Sequence, residues 1–202
     1  MKKLFAVLAF LAAAAPAFAQ TINFGIVAGL NMADQIHVNS RNYGSSLHAG
    51  IKAGGILDVG FQNFSIEPGL FFSQKGENDQ SRYLNLNPFD GGGAAASKTT
   101  LSYIEVPVNF LYKAKIAPGT NLHFGGGPYV AYLVSEDVSL NGQSSSRSGD
   151  FKKSDYGIGI VAGVTITKLR IDAGYELGVP NIDLTGASAH NSVISLSLGY
   201  LF

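Results

Sequence analysis

The sequence predicts an all-β fold, an eight-stranded antiparallel up-and-down transmembrane β-barrel. Three observations predict it. Apolar and polar residues alternate with period two through eight separate segments; the links between them alternate short and long; and beyond the first twenty residues no run is apolar over the length of a spanning helix. Period two is the strand period, because successive side chains point to opposite faces.

The N-terminus is read separately. Met1-Lys2-Lys3 is a short basic start, residues 4–15 are continuously apolar, and Ala17-Phe18-Ala19 precedes Gln20. The run falls short of the roughly 20 residues a spanning helix needs, and the small residues suit a signal peptidase. Residues 1–19 are therefore expected to be a cleaved signal peptide, and residues 20–202 one barrel domain.

Composition removes several function classes. The chain has no cysteine, which excludes a disulfide framework, thiolate metal sites and a lipid anchor on cysteine. Its formal net charge is zero, so it lacks the basic face that nucleic acid demands. Charged residues make up 14% of the chain, against about 25% in a soluble domain. A wall that faces lipid explains the deficit.

The eight segments are residues 22–32, 47–59, 64–75, 102–112, 122–135, 156–166, 169–179 and 192–202. Each is long enough for a tilted crossing of the hydrocarbon layer, about 9–11 residues. One parity is apolar throughout: Ile22, Phe24, Ile26, Leu30 and Met32 in the first segment, Ile104, Val106, Val108 and Phe110 in the fourth, Ile194, Leu196, Leu198 and Tyr200 in the last. The other parity reads as small or polar, with Asn23, Gly25, Gly29 and Asn31 in the first segment and Ser195, Ser197 and Gly199 in the last.

Parity alone does not say which face points inward. A soluble periplasmic carrier of an apolar ligand would turn the apolar set inside. Three features favour lipid outside. An eight-stranded interior is just wide enough to be filled by side chains, and the glycine- and serine-rich set is the smaller. A water-facing wall would carry more lysine and fewer of the 25 glycines. The aromatics of the apolar set fall near segment ends, as membrane girdles do.

The links carry the topology. Short links are residues 60–63, 113–121 and 167–168; long ones are 33–46, 76–101, 136–155 and 180–191. Membrane barrels place short turns in the periplasm and long loops outside, which puts both termini in the periplasm of a Gram-negative cell. Phe24, Phe64, Phe110, Tyr112, Phe124, Tyr200 and Phe202 should then form the periplasmic girdle, and Phe72, Tyr132, Tyr156 and Tyr175 the outer one. Outer membrane lipid is the expected partner of the wall. The outer loops would meet surface polysaccharide, host molecules or a partner protein.

The charges of the inward parity are the sharpest local feature. Lys52, Glu67, Lys75, Glu105, Arg170, Asp172 and Glu176 should share the lumen, and groups so buried must pair with one another or with trapped water. A filled narrow barrel leaves no aqueous channel, so these charges read as a polar plug rather than a pore lining. No catalytic residues, cofactor or metal site are expected. His37, His48, His123 and His190 are scattered, without ligand spacing. The glycines at 125–127, 157 and 159 lie inside strands and are not phosphate loops. Pro68, Pro107 and Pro128 each remove a ladder donor where a closed barrel has no edge, so bulges are expected there.

Four motifs carry a resemblance. Tyr103-Ile104-Glu105-Val106-Pro107-Val108, with Phe110 and Tyr112 after it, is followed by Gly126-Gly127-Pro128-Tyr129-Val130-Ala131-Tyr132-Leu133. Then come Asp155-Tyr156-Gly157-Ile158-Gly159 with the run from Gly174 to Ile182, and the closing Leu198-Gly199-Tyr200-Leu201-Phe202. In this order they resemble the PorT-like outer membrane β-barrel family of Bacteroidetes type. The resemblance implies an outer membrane barrel with no catalytic residues to carry over, prolines tolerated at 107 and 128, and a terminal aromatic for the barrel-assembly machinery. The family's namesake serves type IX secretion, so it also implies an accessory role in such an apparatus.

Overall fold

The computed structural model describes residues 21–37, 45–81, 95–140, 143–146, 151–182 and 189–202. The expected signal peptide and its boundary with the barrel lie outside these residues, as do the central stretches of the four long links.

Among the described residues there are ten strands: β1 (Thr21–His37), β2 (Ser45–Ser46), β3 (His48–Phe61), β4 (Phe64–Ser81), β5 (Ala95–Ala117), β6 (Thr120–Leu140), β7 (Gln143–Ser146), β8 (Ser154–Ile166), β9 (Leu169–Gly178) and β10 (Ala189–Leu201). Eight of them close a ring in which every pairing is antiparallel. β1 pairs with β3 and β10, β3 with β4, β4 with β5, β5 with β6, β6 with β8, β8 with β9, and β9 with β10. The short β2 and β7 add to β4 and β6 at the ends away from the short turns.

Strands run further than the hydrophobic pattern suggested. The β4–β5 ladder continues to Ser81↔Ala95 and the β5–β6 ladder to Ser97↔Leu140, so much of the expected loops 76–101 and 136–155 is paired strand. The apolar signal stops where lipid would stop, whereas the hydrogen-bond ladder needs only a partner. At the opposite end the link expected at 113–121 shrinks to Pro118-Gly119, between Ala117 and Thr120. Gly119 takes φ +72° there, while Gln62 and Thr167 take φ +53° and +58° in the other two turns.

The side-chain division is the reverse of a soluble carrier. Phe24, Leu30, Ile104, Ile158, Leu196 and Leu198 are 63%, 61%, 40%, 64%, 55% and 65% exposed, while Glu105 and Arg170 are 0% and 3% exposed. Val59, expected on the apolar parity of the second segment with Ile51 and Leu57, is buried instead. The inner face is also not confined to small and polar residues. Val27, Ile56 and Phe71 form one buried apolar cluster, packed by Leu201, and Leu101, Tyr103, Tyr129, Ala131, Leu133 and Ile182 form another, packed by Phe151. A narrow lumen is filled partly by bulk, and glycines beside these residues leave the room. A Cβ on Gly69, for example, would sit 2.5 Å from the Phe71 ring.

The bulges expected at the three prolines are absent. Register is continuous through Pro68↔Val108, Pro107↔Tyr129 and Pro128↔Ile158; the β5–β6 register shifts fall instead between Ser102 and Tyr103 and between Lys115 and Ala117. Each proline loses pairing on one side alone. β3–β4 pairing lapses opposite Pro68, β4–β5 pairing opposite Pro107, and β5–β6 pairing opposite Pro128. A strand residue aims its N–H at one neighbour, so a missing donor interrupts one ladder and requires no extra residue.

Candidate functional site

The lumen gathers its charges into two clusters. In the first, Lys52 from β3, Lys75 from β4, Glu105 from β5, Asp155 from β8 and Glu176 from β9 converge. Lys75 Nζ lies 2.8 Å from Glu105 Oε2, 3.4 Å from Glu176 Oε2 and 3.5 Å from Asp155 Oδ2. Lys52 Nζ lies 3.1 Å from Glu105 Oε1 and donates to Glu176 Oε1 at 2.7 Å. The Lys75 contacts are ion pairs at close range rather than aligned hydrogen bonds. Ring faces assist: Lys75 Nζ stands 4.2 Å from the Tyr129 centroid, and Lys52 Nζ 4.8 Å from that of Phe71. A desolvated ammonium over an aromatic face gains about 2 kcal/mol.

The second cluster centres on Arg170 of β9. Its Nη1 donates to Glu67 Oε2, its Nη2 to Glu67 Oε1 at 3.1 Å, and its Nε to Asp172 Oδ2 at 2.7 Å. The other Asp172 oxygen meets His123 Nε2 at 2.6 Å. Gly163 makes that contact possible, because a Cβ on it would lie 2.6 Å from His123 Nε2. Nearer the short turns, Lys113 Nζ donates to Asp58 Oδ2 at 2.5 Å, and Asn23 Nδ2 reaches the same oxygen at 3.4 Å.

The seven charges named from sequence thus fall into two groups: Lys52, Lys75, Glu105 and Glu176 in one, Glu67, Arg170 and Asp172 in the other. Sequence reasoning missed Asp58, Lys113, His123 and Asp155 as members, together with the ring partners Phe71 and Tyr129. Their parity was the available signal. Asp155 continues the inward row of Gly157 and Gly159 by one step, and Lys113 continues that of Leu111, but both fell outside the segment limits drawn. Of the histidines, His123 lies in the second cluster, whereas His48 is buried beside Thr100 at 3.3 Å.

Little free volume remains between the clusters. A cavity of about 60 Å³ is bordered by Lys52, Glu67, Tyr129, Arg170, Asp172 and Glu176, room for a few waters. Toward the long links the bore is closed by the apolar cluster. Ile182 is its plug: it is 0% exposed, and its carbonyl accepts from Lys152 N at 2.8 Å. Toward the short turns the bore widens into a hollow of about 220 Å³ beside Asp58, Lys113, Asn121 and His123.

Among the aromatics expected in the girdles, Phe64 and Tyr112 meet edge to face at 5.3 Å, as do Tyr200 and Phe202, while the Tyr112 and Phe124 rings are tilted at 5.5 Å. Phe24, Phe110, Tyr132, Tyr156 and Tyr175 are exposed on the wall, and Phe72 and Tyr112 are half-buried.

An apolar wall around a filled polar bore, closed from eight strands, defines a small membrane β-barrel. The chain belongs to the outer membrane protein β-barrel domain family, whose model matches residues 18–184. Solved structures with the same fold include Neisserial surface protein A, at 12% identity and TM-score 0.52, covering 91% of this chain and 100% of that one. Two others align with lower TM-scores. The attachment invasion locus protein Ail of Yersinia pestis, solved with the heparin analogue sucrose octasulfate, has 16% identity, TM-score 0.47 and coverage of 91% and 100%. OprG of Pseudomonas aeruginosa has 11% identity, TM-score 0.49 and coverage of 90% and 94%. None of the curated proteins matches the chain. Its place is the outer membrane.

Proposed function

We propose that this protein is a sealed outer membrane barrel with a structural or surface-interaction role rather than a wide pore or an enzyme. The observation that carries this reading is the bore itself. Two ion-pair clusters leave a cavity of about 60 Å³ between them, and Ile182, Leu101 and Tyr103 close one end. Solute passage would require dismantling paired charges, at several kcal/mol for each ion left uncompensated. The short turns and both chain termini face the periplasm, and the long β4–β5 and β5–β6 arms reach outward to polysaccharide, host molecules or a protein partner. Planar-bilayer recording of the purified barrel tests the seal: stable porin-sized conductance steps would contradict it. Labelling of a Lys98→Cys variant in intact cells by an impermeant maleimide tests the orientation.

A second reading follows the motif run through residues 103–108 and 126–133, which resembles PorT-like barrels. On it the barrel is an accessory part of a type IX-like secretion apparatus. Deleting the gene and assaying secreted protein separates the two, since a purely structural barrel leaves secretion intact.

A further inference from the structure

The outer wall is not uniformly bulky. Phe124 of β6, Ala162 of β8, Ala173 of β9 and Leu196 of β10 occupy one cross-strand row, in register Phe124↔Ala162, Ala162↔Ala173 and Ala173↔Leu196. The two exposed methyls lie low between a ring and a leucine. Rows on either side are taller, with Ile160 and Tyr175 above and Val164 and Ile171 below. The result is a pair of adjoining apolar hollows, about 440 and 470 Å³, that share Phe124, Ala162 and Ala173. Below them the β8–β9 turn presents Lys168, which is exposed and has its Nζ 5.7 Å from the centroid of the Tyr200 ring.

We propose that this trough binds one glycerophospholipid, an acyl chain lying over Ala162 and Ala173 with its phosphate against Lys168. The lining is hydrocarbon and is continuous with the lipid-facing wall, so a chain replaces the contacts that the missing side chains would have made. A second copy of the barrel is the poorer occupant. A stable interface takes about 800 Å² per partner, and a convex barrel cannot reach the floor between Phe124 and Leu196. The ammonium of Lys168 supplies the complementary charge at headgroup level. Ala162 and Ala173 each sit four residues from the turn, roughly 13 Å along a strand, within the half of the wall nearer the short turns. The choice of a glycerophospholipid over lipid A rests on the orientation proposed above, which makes that half the periplasmic leaflet.

Native mass spectrometry of the detergent-solubilised barrel tests the site, with palmitoyl-oleoyl phosphatidylglycerol and lipid A as separate probes. The wild type should retain one phosphatidylglycerol per barrel. The Ala162→Phe/Ala173→Phe variant should lose retention by at least about tenfold, since several buried methylenes are displaced, and Lys168→Gln should weaken it several-fold. Heat-modifiable gel migration reports that each variant is folded. If the double variant does not fold, Ala173→Leu makes the same comparison. Retention unchanged by filling, or no retention by the wild type, overturns the trough and leaves the orientation untouched. Retention of lipid A alone, abolished by the same filling, overturns the phospholipid assignment together with the orientation behind it.

Discussion

Lys75 Nζ and Glu105 Oε2 meet at 2.8 Å with both side chains wholly sealed from solvent. Around them two ammonium groups, Lys52 and Lys75, face three carboxylates, Glu105, Asp155 and Glu176. The arrangement tolerates no further loss of positive charge. It also spans β3, β4, β5, β8 and β9, so it ties five of the eight ring strands in one register.

Lys75→Met should therefore destabilise the barrel by about 3–5 kcal/mol, the cost of leaving buried carboxylates uncompensated. Lys75→Met/Glu105→Leu should cost less than the single change, because Lys52 then faces two carboxylates instead of three. Urea unfolding in lipid vesicles measures both. A double variant no more stable than the single one would show that the pair does not act as a unit.

Arg170 serves two carboxylates through a planar fork. A lysine cannot reproduce that geometry, so Arg170→Lys should lose about 2 kcal/mol despite keeping the charge. Gly163→Ala should weaken the same cluster without touching a charge, because its methyl would displace His123 from Asp172. Unfolding curves of the two variants check this.

The turns offer a contrasting pair. Thr167 holds φ +58° with a β-branched side chain, whereas Gly119 holds φ +72° with none. Left-handed backbone costs a residue with a Cβ roughly 1–2 kcal/mol. Thr167→Gly should accordingly raise stability by about 1 kcal/mol, and Gly119→Ala should lower it by a similar amount, although the nearest atom to the added Cβ is 3.5 Å away. The opposite signs separate backbone strain from packing.

The fold was legible in the sequence because lipid and lumen impose opposite demands on alternate residues. That contrast marks Ile104 and Glu105, or Leu198 and Gly199, unambiguously. It fades where the outward parity is no longer apolar, as at Lys98 and Thr100, which is why the extensions 76–81 and 95–101 looked like loop. It also fades where the lumen itself is apolar: Phe71, Tyr103 and Tyr129 are inward aromatics that composition cannot tell from outward ones. The charged members of the bore could be named from parity, but their division into two clusters depends on shear around the ring, which no single strand encodes.

Depth along the wall should be readable from charge tolerance. Leu196→Arg, well within the apolar band, should cost about 2–4 kcal/mol, whereas Phe64→Arg at the turn rim should cost about 0–1 kcal/mol. Equal penalties in vesicle unfolding would contradict a depth-dependent lipid contact.

The central claim is that the apolar parity meets acyl chains and the charged parity does not. The chain contains no tryptophan, so single-tryptophan variants in vesicles of brominated phospholipid test it directly. Leu196→Trp and Ile158→Trp fluorescence should be strongly quenched by the bromines and Tyr129→Trp fluorescence should not. Quenching of Tyr129→Trp with the other two spared would contradict the account.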